Sequence, residues 1–144
     1  MSRVIFLTHP TVGHLNSLLT IALKMRENGH DVHFIVPGSN LADPRIKMFK
    51  VLYNGKIVPD KIRSHDIPIH LLFPPLPYIY LAALLPSKVG FEETRTALRL
   101  FSSGIENLTR RVNRLVKKLR PDMIVADFFF YAARLVAELN ALHY

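Results

Sequence analysis

The chain contains no cysteine. Disulfides, thiolate zinc sites and cysteine nucleophiles are therefore excluded, and the redox compartment is left undecided. It also lacks a long apolar run. The longest, such as Tyr78 to Pro86, falls far short of the roughly 20 residues that a membrane-spanning helix needs. No secretory pattern is visible: Arg3 is followed by a short apolar run that a polar turn interrupts. The expected location is cytoplasmic, with attachment to a membrane periphery as the variant. There is no internal repeat, low-complexity tract or linker. Acidic residues are scarce, with 11 Asp+Glu against 19 Lys+Arg and a formal net charge of +8. That excess favours acidic partners in general, whether nucleic acid, anionic lipid or phosphorylated ligands, and selects none of them.

What is present is an ordinary globular balance, 49% hydrophobic and 21% charged over 144 residues. This is one domain, long enough to bury a core. The first part, Arg3 to Val36, reads strand, tight turn, helix, strand. Val4 to Leu7 is an apolar, partly β-branched run of the kind buried on both faces of a parallel sheet. Pro10 and Gly13 mark the turn. Leu15, Leu18, Leu19, Ala22, Leu23 and Met25 follow at helical spacing. Asn28-Gly29 ends that helix, since glycine takes the left-handed cap conformation cheaply. Val32 to Val36 is a second strand, so the unit is βαβ and the sheet is expected to be parallel.

Beyond Pro37-Gly38-Ser39-Asn40, the stretch Leu41 to Asp60 is ambiguous, with a short helix expected at Ile46 to Leu52 and a turn at Asn54-Gly55. Asp66 to Phe73 alternates enough to form a third strand. Pro74-Pro75-Leu76-Pro77 forbids regular structure and predicts an extended loop. Tyr78 to Leu85 reads as a short helix or a loop over a pocket. Phe91 to Leu119 is the clearest long helix, with an apolar seam of Leu98, Phe101, Ile105, Leu108, Val112, Leu115 and Leu119. A coiled coil would use such a seam, but strands on both sides favour a helix laid on a sheet. Arg120-Pro121-Asp122 stops it. Met123 to Ala126 is a fourth strand, and Tyr131 to Asn140 a last helix, after which another strand is expected. The pattern predicts an α/β fold: a Rossmann-like parallel sheet flanked by helices.

In open α/β sheets, ligands bind beyond the carboxyl ends of the strands. Two polar side chains fall there, His14 after the first strand and Asp127 after the fourth. A carboxylate that accepts from one imidazole nitrogen fixes the tautomer, and the other nitrogen can then act as a general base. On position alone, a turn or packing role for His14 competes with this.

The sequence around both residues resembles the family 1, GT-B-fold glycosyltransferases, which include UDP-sugar-dependent glucosyl- and glucuronosyltransferases. The matching stretches are Val4-Ile-Phe-Leu, Gly13-His14-Leu-Asn, Leu18-Leu19, Ala22-Leu23, Gly29-His30-Asp-Val-His-Phe34 and Pro121-Asp122-Met-Ile-Val-Ala-Asp127-Phe-Phe. Ser17 stands where many members carry proline, and both residue types suit a helix start. The resemblance implies that His14 deprotonates an acceptor hydroxyl and that Asp127 orients it. The hydroxyl would attack an activated sugar nucleotide with inversion and without a metal or other cofactor. It implies further that residues 1–144 are the N-terminal, acceptor-binding part of a GT-B fold. The C-terminal domain, which binds most of the sugar nucleotide, has no counterpart in this sequence. The expected partners are a small lipophilic acceptor and a nucleotide sugar, a UDP-sugar by the resemblance. A chain carrying the C-terminal domain and an anionic membrane surface are further expectations. The alternative is a non-catalytic partner-binding subunit, or an orphan fragment of that fold.

Other residues carry weaker signals. His9 is a pocket candidate or a plain turn residue. Val12, Phe73, Leu76, Tyr78 and Phe128 are acceptor-side candidates in the family reading and packing residues otherwise. His33 and His70 lack metal-ligand spacing. The turn from His9 to Gly13 is no G-x-G-x-x-G fingerprint, which disfavours dinucleotide binding here. Arg110 to Arg120 is a solvated basic helix face, a membrane contact or a subunit contact; nucleic acid is disfavoured, since no aromatic platform accompanies the charges.

Overall fold

The computed structural model describes residues 1–8, 12–37, 57–72, 105–128 and 130–144. Four strands and four helices occupy them: β1 (Arg3–Leu7), α1 (Val12–Glu27), β2 (Asp31–Pro37), α2 (Ile57–Arg63), β3 (Ile69–Leu72), α3 (Ile105–Leu119), β4 (Met123–Ala126) and α4 (Ala132–Leu139). The strands form one parallel sheet in the order β3-β2-β1-β4. After α4 the backbone returns beside β4, where His143 bridges Met123 in parallel. That is where the pattern places another strand.

Strand alternation divides the core in two. Val4 and Phe6 of β1, with Val32, Phe34 and Val36 of β2, point to one face. There they meet Leu15, Leu18, Leu19 and Ala22 of α1 and Val58 and Ile62 of α2. Phe6 and Phe34 are register partners, and their rings stack 5.3 Å apart. Ile5, Leu7, Ile35, Leu72 and Ile124 point to the other face, against Val112 and Val116 of α3 and the alanines of α4. The α3 seam therefore lies on the sheet and on α4, and forms no coiled coil. Leu108, Leu115 and Leu119 border it as expected.

Three boundaries differ from the sequence reading. Helix α1 begins at Val12, because the Gly13-His14 turn is itself helical. Strand β3 begins only at Ile69, since Asp66 adopts a left-handed conformation (φ 55°) that no strand continues through. The last residues of the stretch Leu41 to Asp60, ambiguous in sequence, belong to the short helix α2. The helix expected at residues 46–52, the turn at 54–55, the loop at 74–77, the segment at 78–85 and the start of the long helix lie outside the described residues.

Glycine matters at the end of α1. Gly29 has φ 82°; its N–H donates to the Arg26 carbonyl at 2.9 Å and the His30 N–H to the Met25 carbonyl at 3.1 Å. This double closure is a Schellman motif. It turns the chain straight into β2.

The N-terminal edge of the sheet is tied by ionic groups. Arg3 donates to Asp31 at 2.6 Å and to the Leu119 carbonyl at 2.6 Å, joining β1, β2 and the end of α3. Asp31 also accepts from His33 Nε2 at 3.1 Å, and His33 Nδ1 meets His70 Nε2 at 3.1 Å. Burial holds the His70 pKa below its ordinary 6.5, helped by the charges of His33 and Lys118. The hydrogen bond from Arg3 holds Asp31 below its ordinary 3.8. Both shifts have the same sign in the stability balance. The unfolded chain takes up each proton at a higher pH than the folded one, so stability falls on acidification. His70 acts as pH drops through and below 6.5, and Asp31 below 3.8. Urea midpoints measured between pH 7.5 and 5.5 (on the order of one unit either side of the free imidazole value) are expected to decline. His70→Gln should flatten that decline. An unchanged slope in the variant would show that His70 is not its source.

Candidate functional site

Leu7 and Ala126 are register partners on adjacent parallel strands, so β1 and β4 end at the same level. Each strand releases its chain there into a helix. From β1 the chain enters α1, whose first turn carries Gly13 and His14. From β4 it enters a turn that holds Asp127. The Asp127 N–H donates to the Leu7 carbonyl at 2.9 Å, and its carbonyl accepts from Phe130 N–H at 2.8 Å. The backbone of Asp127 is thus fixed from both sides before its side chain is considered.

The side chain then meets His14: Nδ1 of the imidazole is hydrogen-bonded to Oδ2 of Asp127. The carboxylate is only 4% exposed and the imidazole 30%. A carboxylate is costly to bury without a partner. Here it has one. A carboxylate only accepts, so Nδ1 carries the proton and the lone pair of a neutral His14 resides on Nε2.

Phe128 lies beside this pair. Its ring is 6.1 Å from the His14 ring, inclined by 29°. It is 72% exposed, an unusual setting for a phenylalanine next to two partly buried polar groups. Gly13, His14, Ser17, Leu18, Ala126, Asp127 and Phe128 line an open hollow of about 560 Å³. Carbon dominates that lining, and His14, Asp127 and Ser17 supply its polar side chains. Apart from the adjoining residues and the backbone of α1 itself, no heavy atom of the described residues lies within 4 Å of where a Cβ on Gly13 would stand.

The structure therefore brings His14, Asp127 and Phe128 together. Val12 is partly buried, packs against the core beneath α1, and is not among the residues lining the hollow. His9, Phe73, Leu76 and Tyr78 lie outside the described residues. Sequence reasoning did not single out Leu18 or Ala126 as lining. The spacing does point to Ser17 and Leu18: three and four residues after His14, they share its side of the helix. Among the described residues, no group of three or more His, Asp or Glu side chains could hold a metal ion.

A parallel sheet with helices on both faces and polar groups above the strand ends defines a Rossmann-like α/β unit. No protein-family model and no curated protein matches the chain. Solved structures do, and the three described next are glycosyltransferases. The glycosyltransferase SsfS6 of Streptomyces sp. SF2575 superposes with a TM-score of 0.61 at 15% identity, over 99% of this chain and 38% of its own. UGT2 of Phytolacca americana, complexed with UDP-2fluoro-glucose and pterostilbene, gives 0.60 at 14%, over 98% of this chain and 29% of its own. The spinosyn rhamnosyltransferase SpnG gives 0.55 at 17%, over 99% and 33%. The chain has the fold of one half of a GT-B glycosyltransferase, and it spans about a third of the length of these structures.

Proposed function

We propose that the chain is the acceptor-side domain of an inverting glycosyltransferase. In this reading it moves a sugar from a nucleoside-diphosphate donor to a hydroxyl of a small lipophilic acceptor. The observation that carries it is the His14–Asp127 hydrogen bond at the carboxyl edge of the sheet, beside a hollow. The acceptor hydroxyl approaches Nε2 of His14. As its oxygen attacks the anomeric carbon, its proton passes to Nε2. The bond from that carbon to the diphosphate breaks on the opposite side, and the electron pair leaves with the nucleoside diphosphate. One displacement inverts the configuration. The Asp127 carboxylate stabilises the imidazolium formed in that step. The apolar lining by Leu18, Ala126 and Phe128 supports a lipophilic acceptor.

The donor would be held mainly by the other half of a GT-B fold. SsfS6 has been solved with thymidine diphosphate, and UGT2 with a UDP-sugar analogue. A UDP-sugar is the first donor to test. The test joins the chain to a GT-B donor half and offers it UDP-glucose with a panel of phenolic acceptors. A β-glucoside from the α-linked donor is expected, read by NMR. Retained configuration would reject the mechanism.

A second reading, a non-catalytic subunit, is favoured by one observation. Leu135 and Leu139 of α4, with Tyr131 just before its first residue, lie at four-residue spacing, and all are exposed. Light scattering of the chain with a donor half, beside acceptor titration of the chain alone, separates the two. Acceptor binding supports the first reading; a complex without acceptor binding supports the second.

Gly13 gives a prediction specific to the hollow. Gly13→Ala meets no side chain among the described residues and replaces the poorest non-proline helix former by the best. The melting temperature is expected to hold or rise slightly. Acceptor affinity is expected to fall several-fold (roughly 1 kcal/mol, the size of a misplaced methylene). Unchanged affinity would show that bound acceptor does not approach this wall.

A further inference from the structure

The charge of this chain is concentrated on one element. Residues 105–120 carry six cations (Arg110, Arg111, Arg114, Lys117, Lys118 and Arg120) and one carboxylate, Glu106, a net +5 of the chain's +8. At about 100° per residue, Arg110, Arg111, Arg114, Lys117 and Lys118 fall within roughly 120° of helical arc, over about 12 Å of axis. The opposite side of α3 is absorbed by the core through Val112 and Val116, with Leu108, Leu115 and Leu119 at its margins. The helix cannot roll without opening that core, so its cations are held as a fixed outward strip. Arg110 is paired with Glu106 at 2.8 Å, and Arg111 is hydrogen-bonded to Asn107 at 2.8 Å. Arg114, Lys117, Lys118 and Arg120 are exposed. Among the described residues none of these four has an ion pair.

We propose that this strip docks the protein on an anionic lipid surface. A bilayer carrying acidic headgroups presents a broad negative potential that reaches about one Debye length. A row of cations on one fixed outward face of a helix matches that field without needing shape complementarity. Nucleic acid is a poorer match. Residues 105–120 contain no aromatic side chain on which a base could stack. The strip contains no apolar side chain to insert, and no helix among the described residues is long and apolar enough to cross a membrane. The attachment is therefore electrostatic, reversible and salt-sensitive.

The experiment is co-sedimentation of the full chain with vesicles of phosphatidylcholine alone or mixed with phosphatidylserine, at low and high salt. Binding is expected only to the mixed vesicles and only at low salt. Arg114→Gln combined with Lys117→Gln should weaken it about 30-fold, near fivefold for each cation (roughly 1 kcal/mol apiece). The control is Lys24→Gln with Arg134→Gln, which removes the same charge elsewhere and should change binding less than twofold. All four substitutions are at exposed positions, and circular dichroism melts check that each variant folds. Three results overturn the proposal: equal binding to neutral vesicles, equal loss in both double variants, or tighter binding to duplex DNA than to mixed vesicles. None of these readouts depends on glycosyl transfer, so the surface and the proposed reaction stand or fall separately.

Discussion

His14→Ala, in a chain joined to a donor half, is expected to lower the transfer rate by about 10²- to 10⁴-fold, the usual contribution of a positioned general base. The melting temperature should fall as well, because the buried Asp127 carboxylate loses its imidazole partner, so circular dichroism first checks that the variant is folded at the assay temperature. The measurement is single-turnover transfer at saturating donor and acceptor, which isolates the chemical step. Asp127→Asn separates orientation from charge. The amide oxygen can still accept from Nδ1, so the ring keeps its direction. What is lost is the carboxylate's attraction for the imidazolium, a charge-assisted hydrogen bond worth about 1.5–3 kcal/mol. That corresponds to roughly 10- to 150-fold in rate, less than the loss of the base. If His14→Ala transfers at the wild-type rate, the base assignment is wrong. If Asp127→Asn is slower than His14→Ala, the carboxylate has a role beyond holding the ring.

Phe6→Ala is expected to destabilise the fold by about 3–5 kcal/mol, the range for emptying a buried phenylalanine site. Phe6 is fully buried in the central strand, stacked on Phe34 and packed beneath α1. Neighbours on a rigid sheet cannot collapse far into the space. At about 0.05–0.15 kcal/mol per residue, a chain of this size has a total stability of the same order. The variant should therefore unfold at much lower urea concentration, with the slope of the transition retained if it stays two-state. Phe128→Ala is the internal comparison. Its ring is mostly exposed, so stability should change by no more than about 0.5 kcal/mol. A loss below 1 kcal/mol at Phe6 (roughly the average for any substitution) would contradict the packing of the α1 layer.

Elements with strong local signals were legible in the sequence. The apolar run of β1, the Gly29 cap of α1 and the stop at Pro121 before β4 each have a local physical cause. Helix α2 was not legible. It has only seven residues, with Pro59 at its third position. A seven-residue stretch shows barely two turns of periodicity, and Pro is tolerated there because first-turn N–H groups lack helical partners anyway. Val116 is a subtler case. The 3,4 seam leaves it out, yet it is buried beside Val112. A helix on a sheet buries a wider stripe than a helix in a two-stranded seam.

The sequence by itself determined the class of fold, the parallel sense of the sheet and the two polar residues that follow strand ends. Those features depend on short-range pattern: apolar runs, turn residues and the spacing of helix faces. Only the tertiary structure decided which distant groups touch. Leu7 faces Ala126 in the β1–β4 register, and that alone puts Asp127 within reach of His14. Likewise the register of β3 on β2 puts His70 against His33. A slip of one residue would send each side chain to the opposite face of the sheet. Register is set by the packing of both faces at once, through Phe6 on Phe34 below α1 and Ile5 and Ile35 below α3. No local stretch of the chain contains that information.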